Sequence, residues 1–255
     1  LPLSEGARAF NANRINADDD FIAGLEGKSD AEGLDSLLGR CAVSDMMGIL
    51  VTAGGRSLPR KSVVEYGWAV GRPGSVETDS YFHVKYSSER SKEGRAAAAT
   101  DAARKANVGQ AIFYRPASSG RYAVVANLEL ARIGFNDISQ QYAIDEAGRA
   151  KRQRALLESL LYTFVEPAGA MRAAQNPHIV DFQGVVAIST EVVPAPALSA
   201  LNPNFADELE RVAAALNALR PGAVILRGFD SMGQFTEIMV DIIRNSAPFT
   251  LHLGQ

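Results

Sequence analysis

Residues 87–110 (SSERSKEGRAAAATDAARKANVGQ) carry almost no large apolar side chain and no strand pattern. A compact core cannot absorb such a stretch, because it has little apolar surface to bury against the entropy of ordering it. It lies between two runs with strand character, Tyr81–Tyr86 (YFHVKY) and Ala111–Arg115 (AIFYR). The chain must therefore fold as strands that carry a long polar excursion, with room for a little Ala-driven helix around Ala96–Ala103. Loops this long inside a domain are uncommon and often functional, and the same length also fits an unstructured surface insertion.

Around this excursion the pattern is mixed. Residues 1–39 are polar and acidic and read as loops with at most one short helix; Asp18-Asp19-Asp20 reads as a solvated loop. Cys41–Thr52 (CAVSDMMGILVT) reads as a buried strand ended by Gly54-Gly55, and Val63–Val70 as a second ended by Arg72-Pro73-Gly74. Ala111–Arg115 and Arg121–Ile133 flank Pro116–Gly120, which has the composition of a five-residue hairpin loop. Ala150–Val165 places Leu156, Leu157, Leu160, Leu161, Phe164 and Val165 on one helical face and stops at Pro167. Ile179–Thr190 reads as a strand interrupted at Gly184, and Pro194 and Pro196 open a linker. Phe205–Leu219 reads as an amphipathic helix, Ala223–Arg227 as a short strand and Phe235–Ile243 as a last amphipathic helix. The sum is an α+β protein with antiparallel strands and helices packed on one face.

Charge is unevenly placed. The 255 residues sum to −3, which by itself argues against a nucleic-acid partner. By segment, residues 1–55 hold four basic and nine acidic residues, a net of −5. Residues 56–72 set Arg56, Arg60, Lys61 and Arg72 against Glu65, a net of +3, and residues 84–115 set seven basic residues against three acidic ones, a net of +4. Two basic blocks flanking one strand form a plausible polyanion surface, although a single run of charge is usually a solvated face. Arg149, Lys151, Arg152 and Arg154 start a helix, where positive charge opposes the helix dipole. A bound anion would relieve that cost, and a solvated basic turn is the simpler account.

Catalytic patterns are missing. The chain has no GxSxG elbow, P-loop, HExxH or paired CxxC, and His83, His178 and His252 lie far apart. No metal or cofactor is expected. The single cysteine, Cys41, reads as a small buried residue, excludes a disulfide framework and fits a reducing, cytoplasmic compartment. No run of about 18 apolar residues is present, so no membrane-spanning helix is expected. What remains favours binding. Arg60-Lys61-Ser62 begins a strand, and Tyr81, Phe82, His83, Lys85 and Tyr86 interleave flat and cationic groups. Binders of single-stranded RNA combine cations for phosphates with aromatics for bases. Aromatics are also common in strands for packing alone, so the bland core reading holds for Phe82 and for one of Tyr81 and Tyr86.

CAVSDMMGILVT, RSLPRKS, TDSYFHVKYS, QAIFYRPASSGRYAVVANLELARIG and KRQRALLESLLYTFVEPAGAMRAAQNPHIVDFQGVVAIST occur in that order. Over roughly residues 40–190 this series resembles the DevR-type CRISPR-associated autoregulator family, the repeated backbone subunits of type I Cascade interference complexes. The resemblance implies a modified RNA-recognition-motif (ferredoxin-like) palm over 40–255 with a thumb insertion at 87–110. Residues 1–39 would belong to a finger-like insertion, with the first palm strand expected before Leu1. It implies a non-catalytic subunit that polymerises with further copies along a CRISPR guide RNA (crRNA) and presents it to target DNA. Its other partners would be the guide 5′-end cap subunit, the large and small Cascade subunits and a recruited helicase-nuclease, with no membrane contact. Carried over by position, the RNA-binding residues would be Arg56, Arg60, Lys61 and Ser62 on the palm and His83, Lys85 and Tyr86 on the strand into the thumb. In the thumb they would be Arg90, Lys92, Arg95, Arg104 and Lys105, and in the loop after the main helix Gly169, Arg172, Gln175 and Asn176. Two other functions stay in view. One is a type III-like subunit that cuts target RNA with an acid of the excursion, where Glu89, Glu93 and Asp101 are the candidates. The other is a DNA-binding transcriptional regulator, although no helix-turn-helix with a basic recognition helix is visible.

Overall fold

Ser29 and Glu32 close a capping box. Ser29 Oγ accepts the Glu32 N–H, and Glu32 Oε2 accepts the Ser29 N–H at 2.8 Å. They start one of the helices in the computed structural model, which describes residues 15–16, 18–52, 55–86, 110–167 and 178–251. At positions 81, 83–86, 110–113, 115 and 116 the description covers the backbone alone. The chain divides into two units, Leu1–Trp68 with Val124–Gln255, and Ala69–Ala123.

Among the described residues the first helices of the larger unit are α1 (Asp19–Ala23), α2 (Asp30–Arg40) and α3 (Ala42–Met47). Asp18 is not a solvated loop residue. It caps α1 by accepting the Phe21 N–H and meets Arg40, in the last turn of α2, at 2.6 Å. That bond to Arg40 holds the Asp18 carboxyl below its ordinary range. Phe21, Leu25, Leu34, Leu37 and Leu38 then bury against Ile15, Cys41, Val51 and Leu58 as a first core. The acidic N-terminal region is thus more helical than its composition implies. Apolar residues at i, i+3 and i+4 within α2 supply the missing face.

The run Cys41–Thr52 is not one strand. Its first half is α3, and only β1 (Ile49–Val51) is extended, paired antiparallel with β2 (Leu58–Arg60). Tertiary contacts override the apolar run here. Ser44, Asp45 and Met46 are all buried, which strand alternation would not allow, and the Asp45 carboxylate is gripped from several elements. Gly48 ends α3 at φ +75°, where a Cβ would come within 2.7 Å of both Ser62 N and Arg60 O.

Next come β3 (Val64–Tyr66), paired with β6 (Ala126–Leu128), then a 3₁₀ turn at Leu130–Arg132 and the pair β7 (Phe135–Asn136) and β8 (Gln141–Tyr142). The main helix α4 (Glu146–Val165) starts four residues before the expected Ala150, because Asp145 caps it through the Gly148 N–H. Its Leu156 joins a second core with Ala42, Met46, Val63 and Ile133. Beyond it, β9 (Gly184–Ser189) pairs antiparallel with β10 (Val224–Phe229), and α5 (Phe205–Leu219) and α6 (Met232–Asn245) complete the unit. Leu157 and Leu161 of α4 meet Phe229, Phe235 and Met239 in a third core, with Phe164 and Phe182 packed against it. α5 has its expected bounds, while β9 begins only at Gly184 and α6 begins three residues early, capped by Ser231.

The smaller unit is a ribbon of β4 (Val70–Tyr86) and β5 (Gln110–Ala123), antiparallel, with the polar excursion between them. Two expected turns are absent. Pro116–Gly120 runs extended inside β5, opposite Val76–Ser80, and Arg72-Pro73-Gly74 lies inside β4, where the register shifts between Gly71 and Val76. Proline is tolerated at 116 because a two-stranded ribbon consists of edges. The described residues thus form five two-stranded antiparallel sheets with helices, an α+β protein. Among them no helix is long and apolar enough to cross a membrane.

Candidate nucleic-acid interface

The ribbon places aromatic side chains in solvent. Phe82 and Tyr114 are directly opposed in the register and meet edge to face with ring centroids 5.9 Å apart, yet remain 57% and 72% exposed. Phe82 is therefore not a core residue. Two rings held together this way form a stiff apolar surface at low entropic cost. His83, Lys85 and Tyr86 follow on β4, opposite Phe113, Ala111 and Gln110. Arg90, Lys92, Arg95, Arg104 and Lys105 lie outside the described residues, as do Gly169, Arg172, Gln175, Asn176 and the acids Glu89, Glu93 and Asp101.

In the larger unit the four expected palm contacts part company. Arg60 is a correction: its side chain is fully buried and its five N–H donors all meet protein acceptors. Nε donates to Asp45 O at 3.1 Å, Nη1 to Phe135 O at 2.8 Å and Asp137 Oδ2 at 3.0 Å, and Nη2 to Asp45 Oδ1 at 2.8 Å and Arg132 O at 2.6 Å. No donor is left for a phosphate. Lys61 is exposed but sits 3.0 Å from Glu65 and 3.9 Å from Glu129. The Glu65 bond raises its pKa and lowers that of Glu65. Arg56 lies 3.4 Å from Asp30 and donates to Lys28 O, and Ser62 Oγ bonds the backbone of Met46 and Val64.

The residue that sequence reasoning missed is Asp45. Its Oδ1 takes Arg60, its Oδ2 takes Arg152 Nη1 at 2.6 Å, and both oxygens accept the Gly134 N–H near 3 Å. One carboxylate thereby joins α3, β2, α4 and the turn before β7. A buried charge with this many donors is satisfied, and removing it would leave Arg152 without its carboxylate and Arg60 with Asp137 alone. The only sequence signal was an Asp inside an apolar run.

The basic start of α4 divides in two: Lys151 and Arg154 are exposed, as in a solvated turn, while Arg149 and Arg152 are buried. Arg152 serves Asp45. Arg149 is buried, lies 3.6 Å above the Tyr142 ring and donates to Thr250 Oγ1 and Phe249 O. Arg154 pairs with Glu158 one turn on. Cys41 is buried, as expected, and its sulfur lies 3.5 Å from the Ser44 N–H. Among the described residues no three His, Cys, Asp or Glu side chains are grouped so as to share a metal ion.

A family model described as CRISPR-associated negative auto-regulator DevR/Csa2 matches residues 1–220. The chain belongs to the DevR/Csa2 family. Its role therefore lies with the CRISPR machinery. A search of curated proteins finds no significant match. The family match takes in the whole ribbon, Asp45 and its partners, and α4 and α5. It ends before β10 and α6, whose Phe229, Phe235 and Met239 complete the third core.

Proposed function

We propose that this DevR/Csa2 chain is a non-catalytic guide-RNA-binding backbone subunit of a type I CRISPR interference complex. It polymerises along the guide and holds it for pairing with target DNA, while a recruited helicase-nuclease cuts. In this reading the larger unit contains a modified RNA-recognition palm with a finger-like segment, and the ribbon with residues 87–109 is the thumb. The observation that carries it is the ribbon itself. Residues 69–123 hold nine basic and five acidic residues, a net of +4, which leaves −7 for the rest of a chain that totals −3. The segment that holds this positive excess in sequence also exposes Phe82 and Tyr114, the two kinds of group that single-stranded nucleic acids need.

The test has two parts. RNA purified with the protein and its neighbours should be repeat-derived and uniform in length. Guide binding should weaken with salt, and Lys85→Ala with Lys92→Ala should flatten the logarithmic salt slope by about 0.7 for each phosphate deprived of its cation. An unchanged affinity and slope would remove the thumb from the interface. The family description also names autoregulation, which supports a second reading as a DNA-binding regulator. A footprint on one duplex sequence, in the absence of guide RNA, would favour that reading.

A further inference from the structure

Trp68, the single tryptophan of the chain, is 91% exposed. Tryptophan is ordinarily well buried on average, so a bare indole is informative. The pairing of β3 with β6 continues one residue further, as the Gly67 N–H donates to Val125 O at 2.7 Å. Tyr66 and Trp68, two residues apart along this segment, thus occupy the same side, about 7 Å from each other along the chain. Tyr66 is 49% exposed, and Val124, also exposed, follows β5 on the neighbouring segment. These three side chains offer at most a few hundred Å², well under the roughly 800 Å² per partner of a stable protein interface. They match the scale of one or two nucleotides. In sequence Trp68 adjoins the segment 69–123, which holds nine basic and five acidic residues, a balance that favours a polyanion over an apolar partner.

We propose that Trp68, with Tyr66 beside it, is a base-stacking platform for single-stranded RNA in the larger unit, separate from the Phe82–Tyr114 pair of the ribbon. The proposal rests on the reading of the chain as an RNA-binding subunit. Stacking on an aromatic face is tolerant of sequence, since every base presents a π-face. A guide held through Trp68 would therefore be held without regard to its identity.

Because Trp68 is the only tryptophan, emission excited at the red edge of the indole band, where the tyrosines do not absorb, reports on it alone. A short single-stranded oligoadenylate is titrated in while binding is followed independently by anisotropy of a labelled copy. Binding should quench the emission and shield it from iodide. Trp68→Ala should weaken affinity by roughly 5- to 150-fold, the range for loss of one stacked base, with the salt slope unchanged because an indole neutralises no phosphate. Trp68→Phe should restore most of the affinity. Binding with unaltered emission and an unaffected Trp68→Ala variant overturns the platform and leaves the RNA-binding reading standing. No binding by any form of the chain overturns both. An emission shift that follows protein concentration without RNA assigns Trp68 to a contact between copies and overturns the proposal.

Discussion

Asp45 and Arg60 show how one residue's burial changes its meaning. Arg60 lies in a basic run and has the charge of a phosphate contact, but all its donors are turned inward on Asp45, Asp137 and three carbonyls. Removing one partner of a buried, bonded pair typically costs about 3–5 kcal/mol, because the other charge is left without water or counter-charge. Asp45→Ala should lower the free energy of unfolding in urea by an amount in that range, since it leaves buried Arg152 without its carboxylate and Arg60 with Asp137 alone. Arg60→Ala should destabilise similarly and leave the salt slope of RNA binding as it was. A lowered slope in folded Arg60→Ala protein would return Arg60 to the interface. At this scale the sequence was a poor guide, since Arg60 and Lys61 are adjacent basic residues and only the fold decides which one faces water. For Phe82 the local pattern suggested a core residue, and the ribbon, two-stranded among the described residues, leaves it exposed.

At the scale of elements, legibility followed periodicity. α5 has its expected bounds because its apolar positions repeat with helical spacing over four turns. The Cys41–Thr52 run failed because a short apolar stretch does not distinguish strand from helix, and the Asp45 contacts that decide it come from α4 and β2. The Pro116–Gly120 and Arg72–Gly74 signals were real turn chemistry in the wrong context. Pairing along two long strands absorbed them, and the strain appears as a register shift and as Gly74 at φ +73° and Gly120 at φ +149°. Gly120 is the position where this matters most, because a Cβ there would sit 2.1 Å from Ser75 O. Gly120→Ala should force the strands apart at the irregularity, costing about 1–3 kcal/mol locally. Hydrogen exchange should show weakened protection in residues 70–80 and 114–123 with little change in α4. Equal protection in the two proteins would mean that the approach of the strands at Gly120 is not close.

At the scale of the whole molecule, the charge that first counted against a nucleic-acid partner turns out to be partitioned between the two units. Among the described residues the three cores all lie in the larger unit, and none draws a described residue from 69–123. That unit's chain is also already closed where the ribbon departs. The Gly67–Val125 hydrogen bond extends the β3–β6 pairing, so Trp68 and Val124 stand opposite each other in its register. Two residues suffice to join a hydrogen-bonded pair such as Gly67 and Val125, and Asn-Gly is the favoured choice because both of its positions accept positive φ. A chain in which Asn-Gly replaces residues 68–124 should therefore keep a cooperative urea transition. It should also carry a net charge of −7 and bind single-stranded RNA far more weakly at every salt concentration, because the removed segment holds the positive excess. Circular dichroism of the α4–α6 helices and RNA anisotropy on the same sample separate the two outcomes. Retained affinity in the folded, shortened chain would place the RNA site on the larger unit. Loss of the cooperative transition would show that the ribbon is part of what holds that unit together.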